Sequence, residues 1–298
     1  MEETVNSKYR EVINASEVCI DDAKVTAKVE KILASHLDEN MNEDVYKFLL
    51  NTIDLTTLSS EDSEKSVAAF VQKVNDFETV YPMLSNVAAV CVYSNFAEVV
   101  RANLEVSTVN LAVCSANFPS SQARLEVKVT ETALAVMDGA NEVDIVLNLG
   151  LYRDGAYEDL CDEISEIKEA AKDARLKVIL ETGALKTAEN IRNASILAMY
   201  SGADFIKTST GKIYQGASLE AAYVMCQCIK EYYEKHGIKK GFKASGGIRT
   251  TEDAVKYYTI VKEVLGEEWL TNEYFRIGAS ALANNLFTSI TSIEEPVF

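Results

Sequence analysis

The chain has 298 residues, 48% of them apolar, with 13 Gly and 3 Pro, and its 46 acidic residues against 29 basic ones give a formal charge of −17. That composition excludes a disordered, collagen-like or Pro-rich linker protein. The excess of acid argues against a nucleic-acid partner or an anionic membrane surface, but not against a small anionic ligand, which responds to the local field.

Residues 1–45 are polar and helical in pattern and predict a helical extension, expected to cover the bottom of the domain that fills 46–298. Their opening stretch has no apolar core, so no signal peptide is expected, and no run of 18 apolar residues predicts a membrane span. From there short β-branched runs recur: 52–55 (TIDL), 87–93 (VAAVCVY), 110–116 (NLAVCSA) and 142–147 (EVDIVL). Four more follow at 176–182 (LKVILET), 203–208 (ADFIKT), 241–245 (GFKAS) and 274–278 (YFRIG). The intervening segments have helical periodicity. In 159–172 the apolar positions Leu160, Ile164, Ile167 and Ala171 share a face, and 187–200 repeats this with Ile191, Ala194, Leu197 and Ala198. Thr250 and Thr251, followed by Glu252 and Asp253, read as a capped helix start.

Eight strand–helix units, with strands that read as continuous apolar runs, predict a parallel sheet covered on both faces. The expected fold is α/β, a (β/α)8 TIM barrel with an extra N-terminal helical segment and its active site at the C-terminal strand ends. An open doubly wound sheet is the alternative, but no Gly-rich dinucleotide turn follows the first strand. The six cysteines (Cys19, Cys91, Cys114, Cys161, Cys226, Cys228) form no CxxC pair, and His36 and His236 are the only histidines. Reduced core thiols in a cytoplasmic protein, with no metal site, are therefore expected.

Ionisable residues inside apolar strands are costly to bury unless paired. Lys207 in DFIKTSTGK and Lys243 in GFKASGG hold matching places on consecutive strands. Two neighbouring ammonium groups lower one another's pKa, which suits a lysine that forms a Schiff base with a carbonyl substrate. A lone strand-end lysine would more simply reach for solvent; a matched pair points to chemistry. Asp144 in EVDIVLN and Asp54 in TIDLTTL are the matching carboxylates, with Asp144 the better proton shuttle because apolar residues flank it. The loops after the last three strands carry Gly211 and Lys212, then Gly246, Gly247 and Arg249, then Gly278 and Ser280. Gly-containing loops converging with two cations and helix starts predict a phosphate site.

The segments DLTTL (54–58), AAVCVY (88–93), NEVDIVLNLG (141–150), LKVILETGALK (176–186), GADFIKTSTGK (202–212), GFKASGGIRT (241–250) and FRIGAS (275–280) closely resemble the 2-deoxyribose-5-phosphate aldolases. The resemblance runs in order over about residues 46–290. It implies a lyase of deoxyribonucleotide catabolism that needs no cofactor or metal and takes a small sugar phosphate, with a homodimer implied on the same ground. It makes Lys207 the Schiff-base lysine, Lys243 the partner that depresses its pKa, and Asp144 the proton relay. Asp54, Thr56 and Cys91 match the sugar pocket. Gly211, Gly246, Gly247 and Ser280 match the phosphate loop, with Lys212 and Arg249 nearby. Departures are Ala281 where relatives often carry a second serine, Ala244-Ser245 in place of Pro-Ala, and Phe298 where many relatives have a tyrosine that assists proton transfer. The last implies a slower proton-transfer step. Two other readings remain open: a barrel recruited to bind a protein, and a Schiff-base aldolase for another sugar phosphate.

Overall fold

Strand order in a computed structural model, which describes residues 8–298, is that of a closed eight-stranded barrel. The strands are β1 (Ile53–Thr56), β2 (Ala89–Tyr93), β3 (Asn110–Cys114), β4 (Glu142–Val146), β5 (Arg175–Ile179), β6 (Phe205–Lys207), β7 (Gly241–Ser245) and β8 (Phe275–Ala279). Every neighbour pair is parallel, and β1 closes on β8 with Asp54 opposite Gly278. The helices between strands are α4 (Glu64–Val80), α5 (Ala97–Asn103), α6 (Leu125–Met137), α7 (Leu149–Asp154), α8 (Tyr157–Ala171), α9 (Thr182–Leu185), α10 (Ala188–Tyr200), α11 (Leu219–His236) and α12 (Thr251–Leu265). After β8 comes α13 (Ala281–Thr291). The (β/α)8 expectation is borne out. Thr250 caps α12 as expected: its hydroxyl accepts from the N–H of Asp253, whose carboxylate accepts from the N–H of Thr250.

Both faces of the sheet are buried, but they differ in chemistry. Val90, Val92, Leu111, Val113, Val143, Ile145, Val178, Ile206, Phe242 and Ile277 belong to the apolar layer shared with the helices. Each such side chain contributes roughly 1.5–3 kcal/mol by leaving water. One residue out of phase, Ala89, Cys91, Ala112 and Cys114 form a small separate apolar cluster, while Asp54, Glu142, Asp144, Lys177, Lys243 and Arg276 are buried and charged. The continuous apolar runs expected from the sequence are therefore alternating strands, with branched side chains outward and small or charged ones inward.

Three helices precede the barrel within the described residues: α1 (Lys8–Asn14), α2 (Asp22–Asn40) and α3 (Glu43–Leu50). Of these, α3 lies at the base, where Phe48 packs on Phe275 at the start of β8 (ring centroids 6.3 Å) and on Tyr258 (5.6 Å). Helix α2 instead runs along the outside, burying Val25 and Val29. It is pinned near the mouth by Asp22, which accepts from the N–H of Ala188 (2.8 Å). Toward the base, the Asn40 amide donates to Thr259 (3.1 Å). A single helix beneath the barrel is thus replaced by a strap up its side and a separate base helix, and the 45/46 division falls inside α3.

Candidate active site

Seven ionisable side chains meet inside the barrel, on β1 and on β4 to β8. Strand pairing sets Lys177 opposite Asp144 and Lys207 opposite Lys243, so their ammonium groups converge on one carboxylate. Asp144 Oδ1 accepts from Lys177 (2.9 Å), and its Oδ2 accepts from both Lys207 (2.7 Å) and Lys243 (2.8 Å). Asp54 binds Lys243 through one oxygen and Arg276 (2.6 Å) through the other. One tier lower, two residues before Asp144 on the same face, Glu142 takes Lys177 (2.6 Å) and the guanidinium of Arg276 (2.8 and 3.2 Å).

Burial opposes every one of these charges, and the partners outweigh it. Desolvation would raise the carboxyl of Asp144, yet the charges of Lys177, Lys207 and Lys243 hold it well below the usual carboxylate range. Asp54 is likewise held low, against its burial, by Lys243, Lys177 and Arg276. Lys243 is held well above the ordinary lysine value because Asp144 and Asp54 overcome the cost of its burial. Lys177 is raised in the same way by Asp144, Glu142 and Asp54. Lys243 therefore stands beside Lys207 as a fixed cation. With three carboxylates (Asp54, Glu142, Asp144) facing four cations (Lys177, Lys207, Lys243, Arg276), the cluster carries one excess positive charge when fully ionised.

Lys207 is 4% exposed, against 0% for Lys177 and Lys243, and it alone of the three lines a cavity of about 340 Å³ at the C-terminal mouth. Thr56, Gly211, Lys212, Gly246, Gly247, Arg249, Gly278 and Ser280 line the same cavity, which thus gathers all seven residues expected to hold phosphate. Asp54 and Cys91 do not line it. Asp54 is engaged by Lys243 and Arg276. Cys91, fully buried, accepts from the thiol of Cys114, and that bond pulls the Cys91 thiol down while Cys114 is pushed well up.

The mouth has its own local logic. Gly246 and Gly247 sit at φ +87° and +84°, backbone that residues with a Cβ rarely adopt. Helix α13 begins at Ser280 with no side-chain cap and no acidic residue in its first turn, so its end N–H groups and positive dipole are open to an anion. The start of α12 differs from the sequence expectation, because its first turn carries Glu252 and Asp253 and is capped by its own residues. The ammonium of Lys212 reaches across the mouth to the carbonyl of Leu58, which also accepts from the Tyr93 hydroxyl (3.1 Å). Phe298 does not line the cavity: its ring, 8% exposed, stacks on Phe77 at 4.8 Å, and its N–H donates to Asn284 (3.0 Å).

A Cβ on Gly278 would lie 3.1 Å from Cε of Lys243 and 3.0 Å from Cβ of Ser245. Gly278→Ala therefore displaces the Lys243 stem or Ser245, and a loss of about tenfold in kcat/KM, roughly 1.4 kcal/mol, is expected in steady-state assays of cleavage.

Two groups among the described residues bring three potential metal-donor atoms within 4.8 Å of one another, Cys91–Cys114–Asp144 and His36–Glu39–Glu263. In the first, a cation would compete with the lysine ammonium groups already bonded to both oxygens of Asp144. In the second, His36 spans the two glutamates with its opposite ring nitrogens.

The network members not anticipated from the sequence are Glu142, Lys177 and Arg276. Their signal was present, since each is a charged residue within an apolar strand, the criterion that selected Lys207 and Lys243. Residues 48–287, a span that includes every one of these side chains, match the model of the "DeoC/LacD family aldolase". This chain belongs to the DeoC/LacD aldolase family. Among members, the human deoxyribose-phosphate aldolase is 41% identical over 250 residues, covering 78% of this chain and 77% of the human protein. The solved structure "QR15, an Aldolase" is 30% identical with a TM-score of 0.65, covering 80% of this chain and 94% of its own. The deoxyribose phosphate aldolase of Aeropyrum pernix, described as a tetramer, is 26% identical with a TM-score of 0.67, covering 88% and 98%. Within the described residues of this family member, no helix is long and apolar enough to cross a membrane.

Proposed function

We propose that this DeoC/LacD family member is a class I deoxyribose-phosphate aldolase, acting in the cytoplasm. It reversibly cleaves 2-deoxy-D-ribose 5-phosphate into D-glyceraldehyde 3-phosphate and acetaldehyde through a Schiff base on Lys207. The observation that carries the reading is one cavity with a buried, carboxylate-bound lysine at its floor and an anion cradle at its rim. Its volume of about 340 Å³ lies at the small end of ligand pockets, in keeping with a five-carbon sugar phosphate.

Attack requires Lys207 as the free amine. Release of one proton from the cluster leaves three cations against three carboxylates, and Lys207, the one lysine of the cluster that lines the cavity, is the member that can exchange it. Its Nζ adds to the C1 aldehyde to give a carbinolamine. Loss of the C1 oxygen as water gives the iminium, with Asp144 and cavity water moving the proton. Asp144, held well below the usual range, passes protons on rather than storing them. The fixed charge of Lys243, 2.8 Å from the same Asp144 oxygen, stabilises negative charge at the carboxylate and the departing oxygen. The iminium then draws in the electrons of the C2–C3 bond. C3 leaves as an aldehyde once its hydroxyl proton is removed, and the enamine left on Lys207 is protonated at C2 and hydrolysed to acetaldehyde.

Borohydride reduction in the presence of acetaldehyde tests this. An increment of about 28 Da, that of an N-ethyl group, is expected on Lys207. Absence of any adduct on the folded protein sinks the Schiff-base reading.

A further inference from the structure

Glu181 stands just past the end of β5, buried at 3% exposure and held at φ +57°, ψ +61°. Residues with a Cβ rarely take this left-handed conformation. Burying a carboxylate and holding a non-glycine residue at positive φ both cost free energy. A tight reversal alone would be served better by Gly, and packing alone by an apolar side chain.

What Glu181 gains is a two-point hold on one residue. Its Oε1 accepts from the Thr210 N–H (3.2 Å) and its Oε2 from the Thr210 hydroxyl (2.6 Å). The same hydroxyl oxygen accepts from the N–H of Lys212 (3.2 Å). Thr210, Gly211 and Lys212 are consecutive residues of the cavity wall. The neighbouring backbone adds a second tie, as the N–H of Thr182 donates to the carbonyl of Thr208 (2.9 Å). The end of β5 thus grips the β6 loop on both sides of Ser209. A Gly-centred loop ordered before its ligand arrives binds more tightly than one that must be ordered by it.

We propose that Glu181 is a positioning residue for anion recognition. Through Thr210 it sets the shape of the 210–212 stretch of the cradle, and so the affinity for the substrate's phosphoryl group, without touching substrate. The inference rests on the aldolase reading of the cavity and adds to it the device that shapes the cradle.

Glu181→Gln keeps the size but replaces one accepting oxygen with an NH2 group, and Thr210→Val removes the hydroxyl. Calorimetric titration with inorganic phosphate, which needs no turnover, is expected to show binding weakened about tenfold in each. The double variant should be no worse than either single one, because both break the same link, and Thr210→Ser, which keeps the hydroxyl, should bind like the parent. In turnover, Glu181→Gln should raise KM for 2-deoxyribose 5-phosphate about tenfold with kcat within about twofold, and leave kcat/KM for unphosphorylated 2-deoxyribose unchanged. A folded Glu181→Gln with parental phosphate affinity overturns the proposal, as do equal losses on both sugars. Should Glu181→Gln not fold, a Thr210→Val variant that binds phosphate like the parent overturns it as well. Failure of the aldolase reading would look different: a parent that binds phosphate yet gives no trapped adduct.

Discussion

Lys207→Leu is expected to lose at least about four orders of magnitude in the rate of 2-deoxyribose 5-phosphate cleavage while folding as stably as the parent. The two halves of that expectation come from the same geometry. Without Lys207 the cavity floor has no amine, because Lys177 and Lys243 lie fully buried below it, each tied to two or more carboxylates, and Lys212 stands at the rim on the carbonyl of Leu58. Yet the cluster left behind holds three carboxylates and three cations, and Asp144 Oδ2 keeps its bond from Lys243. Coupled assay of glyceraldehyde 3-phosphate release, run beside a urea titration, separates the two effects. A variant that keeps measurable Schiff-base chemistry would move the nucleophile to another lysine.

Asp144→Asn is expected to lose both activity and stability. Replacing this carboxylate removes the acceptor shared by three ammonium groups and leaves two carboxylates facing four cations. Breaking one side of a buried ionic pair costs roughly 3–5 kcal/mol, which a shift of the urea midpoint at unchanged slope would report. The pH dependence follows in sign. Asp144 and Asp54 titrate lower in the folded chain than their ordinary value of 3.8, so their contribution is complete above that value and is lost as pH falls below it. Lys243 and Lys177 titrate higher than their ordinary value of 10.5, so their contribution is complete below that value and is lost only as pH rises past it. The parent should therefore lose stability steeply below about pH 4, and Asp144→Asn should show a shallower acid limb. Acid limbs of equal slope would mean that the buried charge of Asp144 does not stabilise the fold.

Much of this architecture was legible in the chain because its signals are local. Eight β-branched runs separated by amphipathic helices describe a (β/α)8 barrel, and Thr250 with Asp253 announces the start of α12. Lys207, Lys243 and Asp144 stood out as charges in apolar surroundings. What remained hidden depends on distance in three dimensions. Lys177 and Arg276 satisfy the same local criterion as Lys207, and only closure of the barrel shows which lysine reaches the cavity and which are struts. The path of α2 was equally out of reach, since an amphipathic helix records that one face is covered and not which neighbour covers it. Lys212 shows the limit of composition: a cation beside a glycine loop, its ammonium rests on the carbonyl of Leu58.

The pairing of Asp54 with residues late in the chain bears on how the protein comes into being. Asp54 leaves the ribosome 189 residues ahead of Lys243 and 222 ahead of Arg276. Until β7 and β8 are made, the first strand carries a carboxylate with no cation to meet from that side, and the nascent sheet cannot be sealed. Closure of the ring and the pairing of Asp54 with Lys243 and Arg276 thus coincide. A prematurely released chain ending before β7 would have the nucleophile on β6 but neither Lys243 nor the cradle glycines of the last two strands.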